Sequence, residues 1–234
     1  MTAGHLGGGA ATSCGATKEE RRTKLMTTSS HLQLRDLKAP DSRASIAAYE
    51  LAADYHSPAL LNHVLRSWHW ARGFAAMESR STFDDELLYV AALLHDIGIA
   101  EPFDNHTLSY EEAGGHIAVA LTTGAGWPRD RRVRAKDVIV RHNWAAVDPS
   151  TDLEGYLLEA GTALDITGAR SGDLPSSFVN EVLKKYPRLT VAHEFTACVS
   201  AQAERKPSTA AQRIVDSGLE QKMLKHPFEA ARSE

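Results

Sequence analysis

The stretch LLYVAALLHDIG, residues 87–98, decides the fold. It is apolar or aromatic from Leu87 to Leu94 and then delivers His95 and Asp96 at its end. Eight such residues are far short of the ~18 that a membrane helix needs. A helix apolar on nearly every side belongs instead at the buried centre of a bundle. An imidazole beside a carboxylate at the end of such a helix is costly unless something compensates the pair.

The rest of the chain agrees with a bundle. Apolar residues recur with helical period over about 43–55, 59–78, 82–96, 109–123, 129–142, 152–167, 176–184, 189–204 and 209–223, and no alternating strand pattern stands out. Ser81 or Thr82 is expected to cap the central helix and Gly98 to end it, while Pro128 and Pro187 mark later starts. The expected fold is all-α, a single helical bundle domain over residues 31–225. A Gly-, Ala-, Ser- and Thr-rich leader at 1–30 precedes it and a short tail at 226–234 follows. Glu19 and Glu20 in the leader count against an organellar transit peptide, and no secretory pattern is present.

Composition bounds the function. The chain has 234 residues, 43% hydrophobic, with a formal net charge of −4. Mild acidity argues against a dedicated nucleic-acid partner, and Cys14 and Cys198 alone make no disulfide framework. The expectation is a cytoplasmic protein acting on a small molecule, with no membrane and no nucleic acid involved. Charge is uneven: residues 81–112 hold eight acids and no Lys or Arg, whereas 128–141 hold six basic residues against two acids. Two solvated faces meeting by complementarity is the simpler reading, and a field shaping a pocket is the functional one.

Three apolar helices carry ligand-type side chains. His63 and Arg66 share one face within LLNHVLRSW, residues 60–68; His95 and Asp96 end the central helix; Asp165 lies on the apolar face of LLEAGTALD, residues 157–165. One divalent metal satisfies all three places together, since imidazoles and carboxylates suit zinc, iron or manganese. Gly7-Gly8-Gly9 has no Walker lysine, and His193-Glu194 lacks the second His of a zincin.

The order His63, His95-Asp96, Asp165 resembles the HD-domain metallohydrolase superfamily, an all-helical fold. NHxxRSW at 62–68, LLHDIG at 93–98, LDxxG at 164–168, YPR at 186–188 and KPST at 206–209 resemble its cyanamide hydratase-like branch. The resemblance spans about residues 60–209. It implies metal ligation by His63, His95, Asp96 and Asp165, with one divalent ion, Zn first and Fe or Mn next. Tyr110 stands where binuclear members carry a His, and His116 lies on a different face, so one metal is expected. His142 then serves as acid/base, with Asp96 and Arg66 completing the catalytic set. Asn62, Glu101, Asp104 and Tyr110 are assigned to the substrate side, the acidic loop that also holds His106 lining the pocket mouth.

The implied reaction adds water to a small neutral nitrile such as cyanamide, giving urea, through a metal-bound hydroxide, with His142 returning a proton to nitrogen. The enzyme is thus a metal-dependent hydro-lyase or hydrolase. Alternatives are a phosphohydrolase holding a nucleotide phosphate on residues 128–141, a diiron oxygenase, and a helical binding module with a structural metal. The resemblance also implies association into a homo-oligomer.

Overall fold

The computed structural model describes Met1 and residues 32–229. Apart from Met1 the expected leader lies outside the described residues, as do Cys14 and residues 230–234. Residues from Leu32 onward form a unit of their own. Among the described residues there are ten α-helices and no strand. They are α1 (Arg43–Tyr55), α2 (Pro58–Met77), α3 (Asp85–Leu94), α4 (Tyr110–Gly124), α5 (Arg129–Arg141), α6 (Leu153–Thr167), α7 (Ser176–Lys185), α8 (Val191–Arg205), α9 (Ala210–Asp216) and α10 (Leu219–Leu224).

Capping chemistry sets many of these bounds. The Ser42, Ser57, Asp84 and Asp152 side chains each accept a backbone N–H in the first turn of α1, α2, α3 and α6. Ser109 and Glu112 form a reciprocal capping box on α4. The cap of α3 is therefore Asp84, not Ser81 or Thr82. The helix also stops at Leu94, leaving His95 as its C-cap and Asp96 in the irregular link to a 3-10 turn at Ile97–Ile99. Gly98 lies inside that turn rather than ending the helix, because a Cβ there would stand 2.1 Å from the Tyr110 carbonyl oxygen. The single helix expected at 209–223 is two, broken by Gly218 in the left-handed region at φ 82°.

Every residue of α3 from Leu87 to Leu94 is buried, as its sequence requires. The second central helix is α2, buried from His63 through Ala71 although it carries His63, Arg66 and His69. It packs along α6, and Gly161 permits the approach: a Cβ there would meet the Ser67 carbonyl oxygen at 2.4 Å. Residues 226–229 also pack on the helices. His226 Nε2 donates to the Leu164 carbonyl, Phe228 lies against Trp70, and Glu229 pairs with Arg188.

The uneven charge resolves into ion pairs between helices. Arg131 of α5 donates to Asp84 and to Glu86 at 2.7 Å, and Arg134 pairs with Asp152 and Glu154. The complementary-face reading accounts for these arginines.

Burial also leaves histidines that report on pH. His69 stacks on Tyr186, its Nδ1 is buried without a hydrogen-bond partner, and burial, with Lys185 and Arg72 adding, lowers its pKa to about 3. An unfolded His titrates near ~6.5, so below that pH the unfolded chain binds a proton that the folded one refuses, and stability falls with pH. Between pH 6.5 and 5 His69 alone is expected to cost about 2 kcal/mol. That is ~4–8 °C in Tm for a domain of this size. His69→Phe keeps the stack and should flatten the calorimetric Tm–pH slope by that amount; an unchanged slope refutes the assignment.

Candidate metal centre and active site

Two helix ends and one helix face converge on a single point. His63 comes from the middle of α2, His95 and Asp96 from the end of α3, and His142 from the end of α5. His63 Nε2 lies 3.2 Å from His95 Nε2 and 3.1 Å from Asp96 Oδ2, which is in turn 3.2 Å from His95 Nε2. All three residues are at most 1% exposed. His142 Nε2 stands 3.8 Å from Asp96 Oδ1, and that oxygen is buried with no hydrogen-bond partner.

Local rules explain why the rings point this way. His95 and His142 each follow the last turn of a helix, where carbonyls lack partners. Each turns its Nδ1 onto the carbonyl three residues back, Ala92 for His95 and Ile139 for His142. His63 Nδ1 hydrogen-bonds Asp165 Oδ2 at 2.7 Å. In all three rings Nδ1 is committed elsewhere and Nε2 is left for the common point. Imidazole ligands of metals show this same pattern, the second nitrogen donating to a carboxylate or carbonyl.

Electrostatics reinforces the arrangement. Burial would raise the Asp96 pKa, but His95 and His63 beside it hold it well below the usual carboxylate range. Burial would lower that of His63, yet its hydrogen bonds to Asp165 and Asp96 prevail and raise it. His142 has no such counterweight: burial, with His95 adding, lowers its pKa to about 3. Two Nε2 atoms 3.2 Å apart beside an orphaned carboxylate oxygen are the donor set a divalent cation fits. His63, His95 and Asp96 form the one His/Cys/Asp/Glu cluster of this kind among the described residues.

Asp165, expected as a fourth ligand, does something else. Its Oδ1 accepts from Arg66 Nε and Trp70 Nε1, both at 2.7 Å, and its Oδ2 from Arg66 Nη2 at 2.8 Å and His63 Nδ1 at 2.7 Å. Four donors use the acceptor capacity of a carboxylate. They also place it on the far side of the His63 ring from Asp96. Asp165 therefore orients His63 and lies outside the ligand cluster. Arg66, expected in the catalytic set, is fully buried against Asp165 and the carbonyls of Tyr186 and Pro187. It holds Asp165 in place and does not face the cavity.

The substrate side also differs from expectation. A cavity of about 330 Å³ opens over His63, His95, Asp96 and His142. Asn62, Glu101, Asp104 and Tyr110 do not line it. Asn62 donates to the Pro187 carbonyl, and Asp104 is tied to Gln202, Arg205 and Lys206 of the α8 end. Glu101 and His106 are exposed elsewhere. Tyr110 is buried, and its hydroxyl accepts from Asn143, which does line the cavity. His116 faces a separate surface cleft of about 200 Å³. The walls come instead from α6, α8 and the α9–α10 pair, through Glu159, Thr162, Ile166, Phe195, Leu219 and others. A stripe at i, i+3, i+4, i+7 and i+8 from Glu159 was the available signal in the sequence.

Residues 60–158, which carry His63, His95, Asp96 and His142, match the HD domain family. Over 171 residues the chain is 28% identical to cyanamide hydratase DDI2 of Saccharomyces cerevisiae, and equally to cyanamide hydratase DDI3 of that organism. Each alignment covers 72% of this chain and 76% of the yeast protein. The expected all-helical fold holds among the described residues, and the expected likeness to HD domains and to this branch is borne out. Likeness and geometry together support a metal-dependent hydrolase or hydratase. No helix among the described residues is long and apolar enough to cross a membrane.

Proposed function

We propose that the protein hydrates a nitrile, with cyanamide giving urea as the reference reaction. The carrying observation is the convergence of the His63 and His95 Nε2 atoms and the Asp96 carboxylate on one point, with the uncharged His142 ring beside it, at the floor of a cavity. His63, His95 and Asp96 would hold the ion, for which zinc suits this nitrogen-rich set. Bound there, the ion supplies a Lewis acid that brings the pKa of a water toward neutrality.

The protein's own groups do the rest. Burial, with His95 adding, lowers the His142 pKa to about 3, so the ring is neutral at working pH, and its Nε2, 3.8 Å from Asp96 Oδ1, is placed to relay a proton at the floor of the cavity. In the acid/base role expected of it, His142 takes a proton from the attacking water and returns it to the substrate nitrogen. Asp165 and Arg66 keep the His63 ring in its tautomer. Phe195, whose ring centroid lies 5.6 Å from that of His63, excludes water from that side. Supporting a neutral substrate, none of residues 129–141 lines the cavity, and Arg131 and Arg134 are paired with acids elsewhere. A phosphohydrolase reading loses its anion-holding residues with them.

Urea release from cyanamide, with and without chelator, tests the proposal. Chelator-sensitive urea is expected; none from metal-loaded protein overturns it. His142→Ala should keep about one metal per chain and lower kcat by ~10²–10⁴-fold. Loss of the metal in that variant would instead move His142 into the ligand set.

A further inference from the structure

The cavity is much larger than cyanamide. About 330 Å³ falls in the range of sites that take drug-sized organic molecules, whereas cyanamide is one carbon and two nitrogens. One face of α6 forms its long wall. From Glu159 to Thr167, both at the cavity surface, the helix rises about 12 Å. Between these polar ends the lining is mostly apolar: Ala163 and Ile166 of α6, with Thr162 beside them, share the cavity with Phe195 of α8 and Leu219 of α10. Such a sleeve gains nothing from a small, fully polar substrate, but it would bury the apolar body of a longer one.

The far end is polar in a specific sense. Glu159 precedes Asp165, which holds His63, by six residues, about 9 Å along the helix axis. Among the described residues no hydrogen bond is made to its carboxyl oxygens, and burial raises its pKa, with only the charge of Arg170 opposing. An acceptor left open in a partly desolvated wall is satisfied by a ligand N–H. Lys222, the cation at the same cavity, is held by Ser217 Oγ at 3.0 Å.

We infer that the site takes a nitrile with an apolar body and a distal amino or amide N–H group, its cyano carbon over His63, His95 and Asp96, its body along Ala163 and Ile166, and its N–H on Glu159. This rests on the hydratase reading and names its substrate class. The reaction is R–C≡N + H₂O → R–C(=O)NH₂: a C–O bond forms, the C≡N triple bond gives way to a C–N single bond as the carbonyl forms, and both water protons end on nitrogen.

Calorimetric titration of the full chain loaded with zinc, using cyanamide, benzonitrile and 4-cyanobenzylamine, tests it. The aryl nitriles are expected to bind at least about tenfold more tightly than cyanamide, and the amine to add a further gain that Glu159→Gln, an isosteric change, removes. Aryl nitriles no tighter than cyanamide, or an amine gain that survives Glu159→Gln, overturn the inference. Amide or urea release is followed in the same samples. Cyanamide turnover without aryl binding leaves the hydratase reading standing and this one fallen; tight, Glu159-dependent aryl binding without hydration of any nitrile does the reverse.

Discussion

Replacing Asp96 with Ala is expected to remove the metal and the activity in one step. Its Oδ2 is within 3.1–3.2 Å of both the His63 and His95 Nε2 atoms, so no other side chain supplies the anionic donor of the cluster. Two buried imidazoles alone would have to hold a dication, with no anionic donor beside them. The loss of affinity should exceed the ~10–100-fold seen when a supporting group is removed. Metal content after dialysis should fall from about one equivalent to near zero, and urea release with it. His95→Ala should behave alike, because its Nδ1 bond to Ala92 leaves Nε2 no role but this one. Either variant retaining a full equivalent and turning over cyanamide would falsify the site.

Asp165→Ala should act differently, first on stability and then on the metal. The carboxylate is fully buried beneath four donors, and Arg66, also fully buried, depends on it for charge compensation. Breaking such a pair from one side strands a guanidinium in the core and costs about 3–5 kcal/mol. At ~2–4 °C per kcal/mol, the calorimetric Tm of the metal-free protein should drop by roughly 6–20 °C. Surviving folded protein should bind metal ~10–100-fold more weakly through a loosened His63. Complete loss of metal with an unchanged Tm would make Asp165 a ligand after all. Asp165→Asn, which keeps the shape and one acceptor oxygen, should fall between wild type and Ala on both readouts.

These two results also mark where the sequence was readable. The run from Leu87 to Leu94 announced its burial, and His63, His95 and Asp96 sat on helices too apolar to carry polar groups without purpose. Asp165 carried the same signal for another reason, since a buried carboxylate reads alike whether it meets a cation in the form of an ion or of Arg66. Periodicity places a side chain on a helix face, but which of two neighbours it meets depends on how α2 and α6 cross. The acidic loop was misassigned on the same ground: Asp104 is drawn to Arg205 and Lys206, distant in sequence, and so away from the cavity. Glu159 went unnoticed because one carboxylate on a mixed helix face looks solvated until α8 and α10 are set opposite it.

The last described residues bear on how the molecule is made. Leu219 and Lys222 complete the cavity wall, while His226 and Glu229 fasten the back of α6 and Arg188, next to the carboxylate that steers His63. The groups that gather at the metal point are all translated by His142, whereas Asp165 follows later and the outer supports His226 and Glu229 come more than eighty residues after His142. On a nascent chain the site is therefore expected to lack part of its wall and its outer supports until synthesis has passed Glu229, so that a complete site forms only late in biosynthesis.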